Sequence, residues 1–323
     1  MCCRTMIQSV VVPKSTDLET GFSIGICAAD SATNLDRLLG LVESESYPAG
    51  LALRRVVLVA SGCDPKAVVF ARELADRDER FVLIEESTRK GKSAAINQII
   101  ESFEGEFLVL VNSDALPEPG AISKLLREMA QDKDVGMVSA SPIIADRGGI
   151  TGDVLQLIWG VHNECLLRLN AGKRNNHCCD ELTVVRSDAL RKLPADTVND
   201  GAYLAGNAYQ AGYSIKFCEG ARVKIDVPRS FVELVRQRRR IVFGHFQIWK
   251  SVGESPRTME SMLVGKPLLS LGILVRTLAR SPRLVVALPL ALAGEAVSII
   301  LAMCDNLAST KRHTLWDRFG SRS

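Results

Sequence analysis

Phe107-Leu-Val-Leu-Val-Asn-Ser-Asp-Ala-Leu-Pro-Glu-Pro-Gly120 opens with five apolar residues and ends in an amide, a hydroxyl and a carboxylate. Five are too few for a helix, and they predict a strand buried on both faces. Pro117 and Pro119 stop that strand and open a helix. A carboxylate at the C-terminal end of a buried parallel strand sits in the crevice where open α/β sheets bind ligands. Asp114 stands there. The same residue could equally cap a turn, and these residues alone leave that open.

Upstream, strand and helix patterns alternate. Phe22–Ala28, Val56–Ala60 and Phe81–Ile84 read as strands. Leu35, Leu38, Leu39 and Val42 fall at helical spacing between the first two. Arg89-Lys-Gly-Lys92 leads into a helix over Ser93–Phe103. This alternation predicts an α/β fold with a mostly parallel, Rossmann-like sheet and right-handed crossovers. Downstream, strands are expected at Val135–Ala140, Glu181–Val185, Ser214–Cys218 and Ala221–Ile225, with a helix over 154–169. The polar turn Asp196–Gly201 precedes a helix from Ala202 to Ala211, and another helical stretch begins at Pro228.

After Met262 the composition shifts. Leu284–Cys304 holds ten Leu, Val and Ile residues and one charge, Glu295. It is long enough to cross a bilayer core. Each of those ten favours insertion by roughly 0.3–0.6 kcal/mol, while a central carboxylate costs ~2.5–3.5 kcal/mol. Leu263–Ala279 is interrupted by Lys266, Pro267 and Arg276, as an interfacial helix or one arm of a hairpin would be. Arg276, Arg280 and Arg283, with Lys311-Arg312 beyond, suit anionic headgroups. A membrane contact through 263–304 is expected, against the alternative of a buried helical hairpin. The chain divides into a tail over 1–20, a main domain over 21–255, a hydrophobic helical segment over 256–310 and a basic tail over 311–323.

Composition narrows the class. Net charge is +3, so no nucleic-acid partner is expected. Nine cysteines, including the adjacent pairs Cys2-Cys3 and Cys178-Cys179, make a poor disulfide framework and point to a reducing compartment. A membrane-associated protein with its main domain in the cytoplasm is the expectation. His177 beside Cys178 has no second ligand cluster to make a zinc site. A Gly-x-Gly-x-x-Gly loop after the first strand, as a dehydrogenase needs, is absent, and residues 24–34 hold only Gly25, too little glycine for a nucleotidyltransferase loop.

Five short motifs stand in order: Arg89-Lys-Gly-Lys-Ser-Ala-Ala-Ile-Asn97, Asn112-Ser113-Asp114, Leu116–Gly120, Asn199-Asp200 and Gln237-Arg-Arg-Arg-Ile241. Together they resemble the family 2 glycosyltransferases over roughly residues 22–250. The resemblance implies a GT-A fold and inverting transfer of a sugar from a nucleotide-sugar donor to a sugar, lipid-linked or polysaccharide acceptor. Asn112-Ser113-Asp114 is similar to that family's Asp-x-Asp motif, so Asp114 would ligate a divalent cation, Mn or Mg. Such a cation neutralises a diphosphate leaving group. Asn199-Asp200 matches the acidic pair that supplies the general base, which would be Asp200. Ser61, Lys92, Asn112, Ser113, Gln237, Arg239 and Arg240 would meet the donor.

The departures are specific. Asn112 replaces the first Asp, Asn199 replaces the base's acidic partner, and Ile241 replaces a Trp, so an acceptor-stacking ring is missing there. Asp30 is expected at the nucleotide. Ser61 stands where an Asp often reads uracil. Other readings are an N-cap role for Asp200, a solvated face for the arginine run, a nucleotidyltransferase of similar fold, and a scaffold with a decayed site.

Overall fold

The computed structural model describes residues 19–29, 35–63, 65–144, 148–308 and 313. The elements run β1 (Thr20–Ala29), α1 (Leu35–Ser44), β2 (Leu51–Ser61), α2 (Pro65–Arg77), β3 (Phe81–Glu86), α3 (Lys92–Ser102) and β4 (Phe107–Asn112). There follow β5 (Leu116–Pro117), α4 (Ala121–Gln131), β6 (Val135–Ile144), α5 (Gly149–Ala171), β7 (Leu182–Arg186), α6 (Asp200–Gln210) and β8 (Ser214–Ile225). The chain then turns all-helical with α7 (Phe231–Val252), α8 (Met259–Gly265), α9 (Pro267–Arg280) and α10 (Leu288–Leu307).

One sheet has the order β3-β2-β1-β4-β7-β6-β8-β5. Its first four strands are parallel, as the alternating pattern predicts. The alternating pleat sends Phe107, Val109 and Val111 to a core shared with α1, α2, α4 and α5. Leu108 and Leu110 go to a second core, with Ile96 and Ile99 of α3 and Leu204 and Ala208 of α6. Burial on both faces explains why β4 reads as an unbroken apolar run.

The other half departs from the simple pattern. β7 inserts between β4 and β6, antiparallel to both. The two strands expected at Ser214–Cys218 and Ala221–Ile225 are one strand, β8, whose register against β6 shifts between Ala140 and Ser141. Pro117 does not end regular structure. It lies in the two-residue edge strand β5 against Val223, where a missing N–H is tolerated. Arg186, buried at the end of β7, donates to the carbonyls of Val135 (3.0 Å) and Met129 (3.1 Å) and pairs with Glu106. It ties β7 to its neighbours on both sides.

At the C-terminus, Pro282–Leu307 is a 26-residue helical run with mean hydropathy 2.3 in its most apolar window, long and apolar enough to cross a membrane. In the structure 22% of that window is buried. Leu268 (85% exposed) on α9 and Ile300 (60%) on α10 face outward. Glu295 is not an isolated charge in this run, as the composition implied. It receives two hydrogen bonds from Arg238 of α7, both 2.9 Å. The basic residues before the run are also partnered: Arg280 reaches Glu164 (2.8 Å) and Arg283 reaches Gln156 (2.8 Å), both on α5. Lys311 and Arg312 lie outside the described residues.

Candidate active site

A cavity of about 850 Å³ opens at the sheet edge where β1, β2 and β4 end, and continues between α5 and α7 to α9 and α10. Cys27, Ser61, Asn112, Asp114, Lys92, Asp180, Glu181 and Asp200 line its sheet end.

Lys92, the first residue of α3, joins two elements that approach from the far half of the sheet. Its ammonium lies 2.8 Å from Asp200 Oδ2 and 3.0 Å from Asp180 Oδ2. Burial opposes the ammonium's charge, but the two carboxylates hold it well above the ordinary lysine range. Asp200 is only 6% exposed, and burial raises its carboxyl despite the Lys92 contact. At Asp180 the balance goes the other way: burial is outweighed by the Lys92 charge and its hydrogen bond, and the carboxyl sits low. Asp200 is thus the more basic of the two.

The turn that carries Asp200 is fixed from both sides. Gln247 of α7 accepts from the Val198 amide and donates to the Asp196 carbonyl, each at 3.0 Å. Gly244 makes room for the turn, since a Cβ there would lie 2.6 Å from Asn199 Cβ. Asn199 is the N-cap of α6, its Oδ1 accepting from the Ala202 amide at 3.0 Å. The capping role weighed for Asp200 therefore falls to Asn199, and the Asp200 carboxylate turns to Lys92. Gly201 lets the Asp180 backbone close in: a Cβ there would meet Asp180 Cβ at 2.3 Å. Asp196 is exposed and does not line the cavity.

At the end of β4, Asn112 donates from Nδ2 to Glu181 Oε2 at 2.8 Å. Asp114 lines the cavity beside this pair. Burial, then the charges of Asp180 and Asp114, push the Glu181 carboxyl up to about 8. Ser113 is buried, with its amide on the Cys27 carbonyl, and lies outside the cavity lining. Ser61 donates to Glu86, whose other oxygen accepts from Gln98 at 2.5 Å. A carboxylate thus stands one strand over from the position where Ser61 replaces one. Asp30 lies outside the described residues.

The basic run on α7 splits three ways. Gln237, Arg238 and Arg240 line the cavity, and Arg240 lies within electrostatic reach of Asp200 and Asp180. Arg238 faces Glu260 of α8 and Glu295 of α10. Arg239 points away from the cavity to Asp305. Successive helical residues are turned by about 100°, so a run of arginines cannot share one face.

The residues that sequence reasoning missed are Asp180, Glu181 and three histidines. His162, His177 and His245 stand edge to face, with ring centroids 5.9 and 5.4 Å apart, and Trp159 extends the file at 5.2 Å from His162. Their burial depresses His177 well below the ordinary imidazole range and His245 to about 4. No spacing in the sequence links residues 162, 177 and 245. The acidic pair had a signal: it immediately precedes a buried strand, and β7 runs antiparallel to β4, so the start of one meets the end of the other.

An open sheet with a carboxylate-lined cavity at its parallel strand ends places the candidate site where α/β folds bind ligands. The chain belongs to the family described as "Glycosyltransferase like family 2", which it matches over residues 20–244. It is 20% identical over 247 residues to the poly-beta-1,6-N-acetyl-D-glucosamine synthase of Staphylococcus epidermidis, covering 75% of this chain and 58% of that one. It is 18% identical over 200 residues to the same synthase of Staphylococcus aureus, covering 60% of this chain and 48% of that one. The chain thus spans about half the length of these curated relatives. Its fold is similar to the mannosyltransferase PcManGT from Pyrobaculum calidifontis, solved in complex with GDP-Man and Mn2+. The TM-score is 0.61 at 19% identity, over 90% of this chain and 87% of that one.

Proposed function

We propose that the protein is an inverting glycosyltransferase that uses Asp200 to deprotonate an acceptor hydroxyl. The observation that carries this reading is the Asp200 carboxylate itself. It is buried, freed from capping by Asn199, and turned into the same cavity as Asp114. As the acceptor oxygen bonds to the anomeric carbon, its proton passes to Asp200. The bond from that carbon to the diphosphate oxygen breaks. The leaving diphosphate gains negative charge, which Lys92 and Arg240 are near enough to share.

A divalent cation fits the donor set. Asp114 is a hard oxygen ligand, and the raised Glu181 carboxyl beside it marks a local surplus of negative charge. Among the described residues no group of three or more His, Cys, Asp or Glu is arranged to hold a metal. A cation at Asp114 would therefore take further ligands from donor phosphates and water. When bound it supplies charge neutralisation at the diphosphate.

The membrane contact is supported by the outward apolar faces of α9 and α10. We place residues 21–255 at the cytoplasmic surface with 263–304 in or on the bilayer. Incubation of the purified full chain with a panel of nucleotide sugars and Mn2+ tests the activity. Release of nucleoside diphosphate that depends on Asp200 and on a hydroxyl acceptor is the expected result. Release that survives Asp200→Asn overturns the base assignment.

A further inference from the structure

The cavity does not stop at the carboxylates. Beyond Asp200 it passes the four rings of Trp159, His162, His177 and His245. It then reaches an apolar end lined by the half-buried Leu274 and Leu288 and by Leu263, Leu271 and Leu292, which are themselves more than half exposed. These leucines come from α8, α9 and α10, so the apolar end of the cavity runs on into the exposed apolar surface of those helices.

The ring file is chemically unusual. Three of the chain's four histidines meet here. His177 Nδ1 and His245 Nε2 are buried with no hydrogen-bond partner among the described residues, and His177 is only 7% exposed. A buried polar atom without a partner is costly, and both residues line the cavity. Flat rings carrying single nitrogen donors or acceptors suit a ligand with hydroxyls on an apolar carbon frame. The file also places a Trp ring in the cavity that Ile241 lines. An apolar chamber of leucines suits hydrocarbon.

We propose that the acceptor is an amphipathic lipid. Its hydroxylated head lies along His245, His177, His162 and Trp159 to reach Asp200, and its hydrocarbon tail occupies the leucine chamber under α9 and α10. This rests on the transferase reading of the site and adds the class of acceptor to it. A soluble saccharide would use the rings and leave the chamber without a ligand group to cover it. A lipid enters from the side where the exposed faces of α9 and α10 meet the bilayer. The polar end of the cavity is thereby kept for the nucleotide and the apolar end for the acceptor.

The test uses the full chain held in a detergent-free amphipathic polymer, with Trp249 and Trp316 replaced by Phe so that Trp159 is the sole tryptophan reporter. Maltose and dodecyl maltoside brominated in its alkyl tail are titrated below the micelle concentration. Quenching of Trp159 by the brominated compound, at an apparent Kd at least tenfold below that of maltose, is expected. Leu274→Arg with Leu288→Arg should abolish the quenching. Leu274→Phe with Leu288→Phe, which shorten the chamber without adding charge, should shift the preferred tail from dodecyl to octyl. Equal binding of maltose and dodecyl maltoside overturns the proposal in favour of a free saccharide. Quenching unchanged in both double variants overturns it in favour of tails on the outer helix faces. Nucleoside diphosphate binding is read on the same samples. Its absence with the quenching intact fails the transferase reading, whereas its presence with no tail dependence fails only the lipid acceptor.

Discussion

Arg238 of α7 and Glu295 of α10 form a two-bonded ion pair, both contacts 2.9 Å, with side chains 15% and 20% exposed. The pair fastens the apolar C-terminal helix to the helix that floors the cavity. Glu260 of α8 completes the cluster on the same guanidinium. Removing one partner leaves a half-buried charge uncompensated. Arg238→Met should therefore cost about 3–5 kcal/mol, because it leaves Glu295 and Glu260 both without their cation, and Glu295→Leu should cost less, since Glu260 still pairs the guanidinium. Thermal midpoints of the wild type, both single variants and the double variant give the coupling. Additive losses would show that the pair does not act as a unit.

Asp200 and Asn199 should separate cleanly by mutation. Asp200→Asn should lower turnover at least about a hundredfold while leaving donor affinity nearly unchanged, because general-base assistance is typically worth ~10²–10⁴. Asn199→Ala removes an N-cap and should cost about 1 kcal/mol of stability, with a much smaller effect on turnover. Asp196→Asn should be mild, since Asp196 lies outside the cavity. Asp180→Asn is the informative competitor. If it, rather than Asp200→Asn, abolishes turnover, the base is Asp180.

Asp114→Asn should weaken Mn2+ binding in the presence of nucleoside diphosphate by tenfold or more, read by Mn2+ electron paramagnetic resonance and by thermal shift. Ligand that binds only the folded state stabilises it by mass action, so the wild type should gain several degrees and the variant little. An equal gain in both would remove Asp114 from the cation site.

The histidine file predicts an acid-labile fold. His245 is held to about 4, first by burial, and Arg238 and His162 add to the effect while Glu260 opposes it. An unfolded histidine titrates near ~6.5. Between these values the unfolded chain binds more protons, so stability is full above about 6.5 and falls as pH drops toward 4. Urea midpoints should decline over that window in the wild type, on the order of 3 kcal/mol for this residue. His245→Gln should flatten the decline. A parallel decline in the variant would assign the acid sensitivity elsewhere.

Membrane association is best probed on the surface of α9 and α10. Truncation after Met262 would remove Glu295 and Asp305, the partners of Arg238 and Arg239 on α7. Leu268→Ser, Val275→Ser and Ile300→Ser change only exposed positions. Together they should move the protein from the membrane fraction to the supernatant with little change in thermal midpoint. Retention in the membrane fraction would place the contact elsewhere.

The parallel half of the sheet was legible because burial on both faces writes itself as unbroken apolar runs, from Phe22 to Val111. Asp114 was singled out at a strand end and Asp200 through the family resemblance, and both line the cavity. Asp180 and Glu181 were not, because a search for carboxylates after parallel strands passes over those that precede an antiparallel one. The Arg236–Arg240 run reads as one patch in a linear sequence, but helical rotation gives Arg238, Arg239 and Arg240 three separate surroundings. Glu295 read as a cost to insertion because its partner lies 57 residues upstream. The histidine file depends wholly on tertiary placement and leaves no periodic trace.

The seam between β4 and β7 also sets when the site comes into being. Strands β1 to β4 are contiguous in the chain and need only right-handed crossovers to pair. β7 must then dock on β4 from some 70 residues away, and the bond from Asn112 to Glu181 closes across a separation of 69 residues. Lys92 meets Asp180 across 88. Contacts this distant are formed late, since loop-closure entropy is lost before they reward it. In refolding, helical and parallel-sheet signals should therefore return before nucleotide binding, and turnover should return last. The two sides of the candidate site would then be brought together by different stages of one folding reaction, with Arg186, buried at the end of β7, holding that strand to its neighbours once it has docked.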